Sequence, residues 1–318
     1  MKGTYRAIVV VVMMILTIDL AVCQIGGTPG ASTRMGFGAR GVGMGNAMSA
    51  VVTGDVVTYY NPALAPWTMQ RQAAVTYGVL SLDRTLNFVN FTTPLRPSAG
   101  ISIGIINAGV SNIDGRDADG RQTGPMKTSE NEVFLGFANK FSGGITVGLN
   151  IKLLWYQLYT DVASTTVGID AGILMPPAKN LTVSFTVRDI GSKYKWDTST
   201  LYGQQGKTSE DKFPMLYTVG SAYILPDTIA TVSAELELSN QKTFMGRFGA
   251  EVPLVPELTL RGGVDRIDLR EKGNGVSPAV GFTAQKELAG WAPAVNYAYV
   301  FEPFSPKGIH LVSLSVKF

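Results

Sequence analysis

A chain of 318 residues holds one large domain or two ordinary ones, and its 36 glycines suit many tight turns and small inward-facing positions. A formal charge of +3 with no basic cluster argues against nucleic acid as a partner. Mean hydropathy is slightly positive, high for a soluble chain and low for a helical membrane protein; past the N-terminus no run approaches the roughly 18 apolar residues of a spanning helix.

Lys2 and Arg6 make a basic start, Ala7 to Ile18 is apolar, and Ala21-Val22-Cys23 offers a small-residue cleavage site before Gln24. This layout predicts an export signal over residues 1–23. Asp19 leaves the apolar stretch too short for an anchor helix. Cys23 is the only cysteine. Simple cleavage is the reading; lipidation of Cys23 is the alternative, against which bulky Val22 stands where a lipoprotein signal wants a small residue. With Cys23 removed, disulfides and cysteine-ligated metals are excluded.

Residues 24–70 are rich in Gly and Ala and lack alternation. Their centre is Gly36-Phe-Gly38-Ala-Arg40-Gly41-Val-Gly43-Met-Gly45-Asn46. Asn46 to Val52 is expected as a short helix, and Tyr59-Tyr60-Asn61-Pro62-Ala63 as a turn. The region reads as a compact segment that precedes the rest of the domain.

From Ala73 onward, short segments alternate apolar and polar residues between turn residues. In Ile145 to Trp155, the residues Ile145, Val147, Leu149, Ile151, Leu153 and Trp155 share one face, and Thr146, Gly148, Asn150 and Lys152 the other. Strand geometry makes one face oily and the other wet. Fourteen such segments are expected: Ala73–Ser81, Leu86–Thr92, Gly100–Val110, Asn131–Lys140, Gly144–Tyr156, Thr165–Met175, Leu181–Asp189, Met215–Ile224, Ile229–Leu238, Thr243–Val252, Leu258–Asp265, Pro278–Gln285, Ala294–Phe301 and Ile309–Phe318. Four connections are short (Phe141–Gly144, Pro176–Asn180, Leu225–Thr228, Pro253–Glu257), whereas Ser111–Glu130 and Gly191–Pro214 are long and polar. Counting strands puts both long loops on one side and all four short turns on the other. The fold class predicted is all-β, a transmembrane antiparallel β-barrel over residues 71–318 with oily residues outside and hydrophilic ones lining the bore, in an outer membrane with both chain ends periplasmic. A secreted soluble β-protein, such as a propeller or paired sandwich, is the rival.

The wet face carries Lys152, Asp170 and Arg188 on three successive strands. Glu235 and Glu237, then Arg247 and Glu251, then Arg261 and Asp265 form a second run. Opposite charges on neighbouring strands can pair. Such pairs either brace the wall or make a polar path along which a solute or plug segment slides. Trp155, Tyr156, Tyr159, Tyr217, Tyr223 and Trp291 fall near strand ends, as interfacial aromatics should. Phe318 is expected to face lipid.

Enzyme motifs lack their context. Gly36-Phe-Gly38-Ala-Arg-Gly41 matches the dinucleotide fingerprint in letters, without the βαβ unit that gives it meaning. Gly100-Ile-Ser102-Ile-Gly104 matches a nucleophile elbow, but sits in plain strand alternation. The single histidine is His310. Asp114, Asp117 and Asp119 cluster in a long loop with the wrong spacing for a calcium loop. Neither catalytic residues nor a metal or cofactor site are predicted.

Met35-Gly-Phe-Gly-Ala-Arg-Gly-Val-Gly-Met-Gly-Asn-Ala47 followed by Tyr60-Asn-Pro-Ala-Leu64 resembles the N-terminus of the PorV/PorQ family, within the FadL-like long-chain fatty acid transporter superfamily. Val187-Arg-Asp-Ile-Gly191, Leu260-Arg-Gly-Gly263, Asn296-Tyr-Ala-Tyr299 and Leu314-Ser-Val-Lys-Phe318 are weaker echoes. The resemblance implies fourteen strands with residues 24–70 folded inward as a hatch. It implies either gated passage of hydrophobic small molecules or a partner role in type IX secretion or surface attachment. Gly36, Gly38, Gly41, Gly43 and Gly45 would let the hatch approach the wall, Asn61-Pro62 would fix a turn, and Arg34, Arg40 and Asp55 would pair with bore charges. Val187-Arg-Asp-Ile-Gly191 departs from the family's usual V-x-N-x-G, so no role is carried over for that Asn.

Overall fold

The computed structural model describes residues 28–159, 161–270, 275–303, 305 and 307–318. The expected export signal and the choice between cleavage and lipidation at Cys23 lie outside the described residues. The sheet is built from β1 (Gln72–Val79), β2 (Arg84–Leu95), β3 (Ala99–Arg116), β4 (Gln122–Lys140), β5 (Thr146–Tyr159), β6 (Val162–Ala178), β7 (Leu181–Ile190), β8 (Lys193–Asp197), β9 (Thr208–Lys212), β10 (Leu216–Ile224), β11 (Thr231–Ser239), β12 (Phe244–Val255), β13 (Leu258–Asp268), β14 (Ser277–Gln285), β15 (Ala292–Val300) and β16 (Ile309–Lys317). Among the described residues, fourteen of these close into one antiparallel barrel, β1 pairing with both β2 and β16, while β8 and β9 pair only with each other. Each expected strand has its counterpart. A closed cylinder satisfies every strand's backbone groups without leaving an edge.

The alternation is realised as read. Ile145, Val147, Leu149, Ile151, Leu153 and Trp155 are exposed on the outside, and Thr146, Asn150 and Lys152 are buried inside. Leu135, Phe137, Val167, Val219, Leu236, Phe248, Val280 and Leu314 continue the outer apolar band around the wall. In water such a surface would drive aggregation; hydrocarbon satisfies it. Trp155, Tyr159, Tyr217, Tyr223 and Trp291 are exposed, and Phe318 stacks on Trp291 with centroids 5.5 Å apart. Tyr156 is the exception. It packs against Tyr194 of β8 at 5.4 Å.

The two long loops are largely strand. β3 and β4 run for 18 and 19 residues, leaving a turn of only Asp117 to Arg121. Gly191–Pro214 contains the β8–β9 hairpin and a short helix, Ser199–Tyr202. The extensions of β3 and β4 and all of β9 are polar on both faces, so no hydrophobic period marks them, while β8 alternates Tyr194 and Trp196 with polar residues over only five positions. β3 to β6 therefore stand as a tall wall, while β7 stops at Ile190 and β10 starts opposite Arg188.

Among the breaks in the regular register, two bulges bear on the bore. On β7, Arg188 and Asp189 together oppose Asp170, and Asp189 has φ 62°. On β13, Asp265 and Arg266 oppose Arg247, and Arg266 has φ 58°. A bulge sets two residues of one strand against one of its neighbour.

Candidate functional site

Residues 28–70 lie against the inward faces of strands from all around the barrel. The expected helix at Asn46–Val52 is instead a series of turns; the helix is Ala39–Gly43. Gly38 precedes it with φ 79°, and Ala39 N–H donates to the Ser313 hydroxyl of β16 at 2.8 Å. Small residues at Gly41, Gly43 and Gly45 let other groups come close: a Cβ at Gly41 would meet the Tyr60 ring, one at Gly43 the Arg261 stem, and one at Gly45 the backbone of Val264. A Cβ at Gly36 would overlap the Asn46 amide. Asn61 caps the turn that begins at Pro62: its side chain accepts from Ala63 N–H at 2.9 Å and donates to Ser49 O at 2.8 Å.

The wall answers with its own glycines, for which the sequence names no contact. A Cβ at Gly100, Gly148, Gly249 or Gly263 would strike the backbone of Ala65, Pro62–Ala63, Met44 or Gly45. The signal was present in principle, because each occupies an inward parity position of a strand.

The bore charges gather into three groups. In the first, Lys152 bonds Asp170 at 2.9 Å and also pairs with Asp189, whose own N–H donates to Asp170 at 2.9 Å. Asp189 was not predicted. Strict alternation sends it to the lipid face, and the bulge turns it inward. Arg188 donates to the Tyr59 hydroxyl at 3.2 Å and lies over that ring at 4.6 Å. In the second, Arg247 makes a two-point contact with Glu237 at 2.9 and 3.0 Å, reaches Asp265 at 2.7 Å and lies 3.6 Å from Glu235. Glu235 also accepts from Ser49 N–H, and Asp265 from the Asn46 amide at 2.8 Å.

A third group lies nearer the chain-terminal end. Arg40 pairs with Glu251 and donates to the carbonyls of Thr53 at 2.7 Å and Asp55 at 2.8 Å. Glu251 is 3.9 Å from Arg261, which donates to Thr283 and Asn296. Asp55 pairs with Lys317 at 3.0 Å and accepts from Ser315 at 2.7 Å. Burial alone would raise the Asp55 carboxyl; Lys317, the Ser315 hydroxyl and Arg40 outweigh it and hold the carboxyl below its ordinary value. Of the three segment charges expected to pair, Arg34 does not: it donates to the carbonyls of Pro29 at 2.8 Å and Thr28 at 3.3 Å.

The hydrophilic bore holds only in part. Leu86 and Phe88 of β2, Ile106 of β3, Phe134 of β4, Val300 of β15, and Ile309 and Leu311 of β16 all face inward and are buried. With Phe37, Val42, Met44 and Met48 of the N-terminal segment they form a continuous apolar cluster. Beside it opens a small crevice, part of it continuous with solvent, lined by Val42, Leu86, Ala279, Val300, Ile309 and Leu311 with Asp265, Arg266 and Glu302 among its polar members. A second, polar gap lies beyond Gly36 and Asn46, among Arg34, Arg188, Glu235, Glu237 and Arg247.

Ser102 faces inward on β3, whereas His310 is exposed on the outer face of β16, bonded to Tyr297 at 2.8 Å. They form no catalytic pair. Asp114 is bound by Arg116, Asp119 by Arg121, and Asp117 caps the turn by accepting from Asp119 and Arg121 N–H. Among the described residues no three acidic, His or Cys side chains converge as metal ligands.

No family model matches the chain, and no curated protein does. Solved structures do. The toluene transporter TodX of Pseudomonas putida superposes with a TM-score of 0.60 at 11% identity, covering 88% of this chain and 97% of that one. The monoaromatic hydrocarbon channel CymD gives 0.65 at 12%, covering 89% and 98%. A FadL homologue of Pseudomonas aeruginosa gives 0.60 at 11%, covering 87% and 97%. At these identities the likeness establishes the fold: this chain has the barrel architecture of the FadL-type transporters.

Proposed function

We propose that the protein is an outer-membrane channel for hydrophobic small molecules, with its chain ends periplasmic and residues 28–70 acting as a hatch that closes the bore. The observation that carries the reading is the apolar crevice among Val42, Leu86, Val300, Ile309 and Leu311, on the inside of a wall that elsewhere carries charges. Leu86 and Leu311 pack on the N-terminal segment, and the crevice beside them leaves apolar surface that an apolar guest would cover. Two of the three similar structures supply the same architecture in proteins named as a toluene transporter and a monoaromatic hydrocarbon channel. The N-terminal glycine block and its Asn61-Pro62 turn support a hatch of the PorV/PorQ kind.

Uptake of a neutral aromatic probe into proteoliposomes tests this. Leu311→Glu puts a carboxylate into the crevice, where desolvating it opposes an apolar guest. Uptake is expected to fall at least tenfold; equal uptake by wild type and variant overturns the reading. A role as a non-catalytic partner in type IX secretion or surface attachment is the other reading. The ordered β8–β9 hairpin favours it, although the hairpin's aromatic face is spent on the barrel's own interior. A stoichiometric secretion protein co-purifying in mild detergent would favour that role, and bound lipid would favour transport.

A further inference from the structure

We propose that Glu130 is a positioning residue that links the β8–β9 hairpin to the N-terminal segment, so that displacing the hairpin at the mouth frees the segment's first turn. The inference rests on the reading that this segment closes the bore.

The hairpin is a separable element. Its two strands have 5 residues each and pair only with each other. A lone two-stranded hairpin is marginal in water. What holds this one is side-chain packing: Tyr194 and Trp196 of β8 and Phe213 after β9 are buried against Leu154 of β5 and Val162 of β6. One further bond, Lys195 N–H to the Ser164 hydroxyl at 2.8 Å, ties it to β6. The opposite face, with Lys195, Asp197 and all of β9, is exposed. The hairpin thus leans over the mouth from the low side of the rim onto the tall wall of β4 to β6.

Glu130, midway along β4, is gripped by both partners. Its Oε1 accepts from the Tyr194 hydroxyl at 2.7 Å, and its Oε2 accepts from the Ser32 hydroxyl. Ser32 opens the turn Ser32–Arg34. The next residue, Thr33, is buried, and its carbonyl accepts from the Tyr59 hydroxyl and from Arg188. Phe213 closes over Gly30 so tightly that a Cβ there would enter its ring. One carboxylate therefore connects an element that faces the outside to a turn bonded to the bore. Hydrogen bonds to an ionised carboxylate are among the strong ones. When Tyr194 leaves, Glu130 loses one of its two donors and the hairpin's hold on Ser32 goes with it.

Thiol labelling tests the link in the full chain reconstituted in lipid vesicles. The reporter is Thr33→Cys in a Cys23→Ser background, and the probe is a membrane-impermeant maleimide. Tyr194→Phe keeps the ring and removes the hydroxyl; it is expected to speed labelling about tenfold, the scale of one hydrogen bond to a charged group. Glu130→Ala is expected to do the same, and the double variant to equal the single ones, because both cut the same link. Packing loss alone would give additive effects. An unchanged rate in Tyr194→Phe, or additive rates in the double variant, overturns the proposal. If the reporter unfolds the barrel, amide exchange across residues 30–35 in the otherwise native chain reads the same motion. Labelling does not depend on ion flow, so a failure of the closure reading in conductance is distinguishable from a failure here.

Discussion

Arg40 holds three groups at once: the Glu251 carboxylate and the carbonyls of Thr53 and Asp55. Removing one partner of a buried pair costs about 3–5 kcal/mol, because the other charge stays buried without compensation. Arg40→Ala is therefore expected to loosen the exposed stretch at Gly54, and limited proteolysis there checks it. Asp55 adds a pH dependence. Its carboxyl is held below its ordinary value, so its tether is fully present above the unfolded carboxyl's pKa and is lost as pH falls through the lowered one. Cleavage at Gly54 should rise only at acid pH below the usual carboxylate range, and Lys317→Met should move that onset upward. The charged residues were legible by parity, since Lys152, Asp170, Arg188, Glu235, Glu237, Glu251, Arg261 and Asp265 are buried inside and Arg247 is partly buried among them. Asp189 was not, because a bulge is set by pairing with a neighbour and leaves no mark in the period of one strand.

The strands announced themselves through alternation, and the elements that lack it did not. β9 was hidden because Thr208 to Lys212 is polar throughout, and β8 because its alternation of Tyr194 and Trp196 with Lys193, Lys195 and Asp197 lasts only five residues inside a polar stretch. The first helix was displaced from Asn46–Val52 to Ala39–Gly43, a glycine-rich stretch whose helical turn is fixed by contacts such as Ala39 to Ser313 rather than by propensity. Element packing here is glycine against backbone. Gly249→Val would drive its side chain into the Met44 carbonyl, and the segment, rather than the continuous barrel, is the part free to yield. The expected outcome is a folded, heat-modifiable barrel with raised ion conductance. Conductance equal to wild type would mean that the segment accommodates the valine in place.

At the scale of the molecule, closure, strand number and the outer apolar band could all be read from the chain, because lipid imposes one rule on every second residue. The inside obeys no such rule. Leu86, Phe88, Ile106, Phe134 and Leu311 face a bore that alternation assigns to polar groups, and they do so because the N-terminal segment brings Phe37, Val42 and Met44 to cover them. Such a match between distant stretches has no period to reveal it. The central claim is that this segment closes an otherwise open cylinder. Deleting Gly36 to Asn61 and recording single channels in planar bilayers tests it most directly. A large, steady rise in ion conductance over the full chain is predicted, and conductance indistinguishable from the full chain would contradict the account.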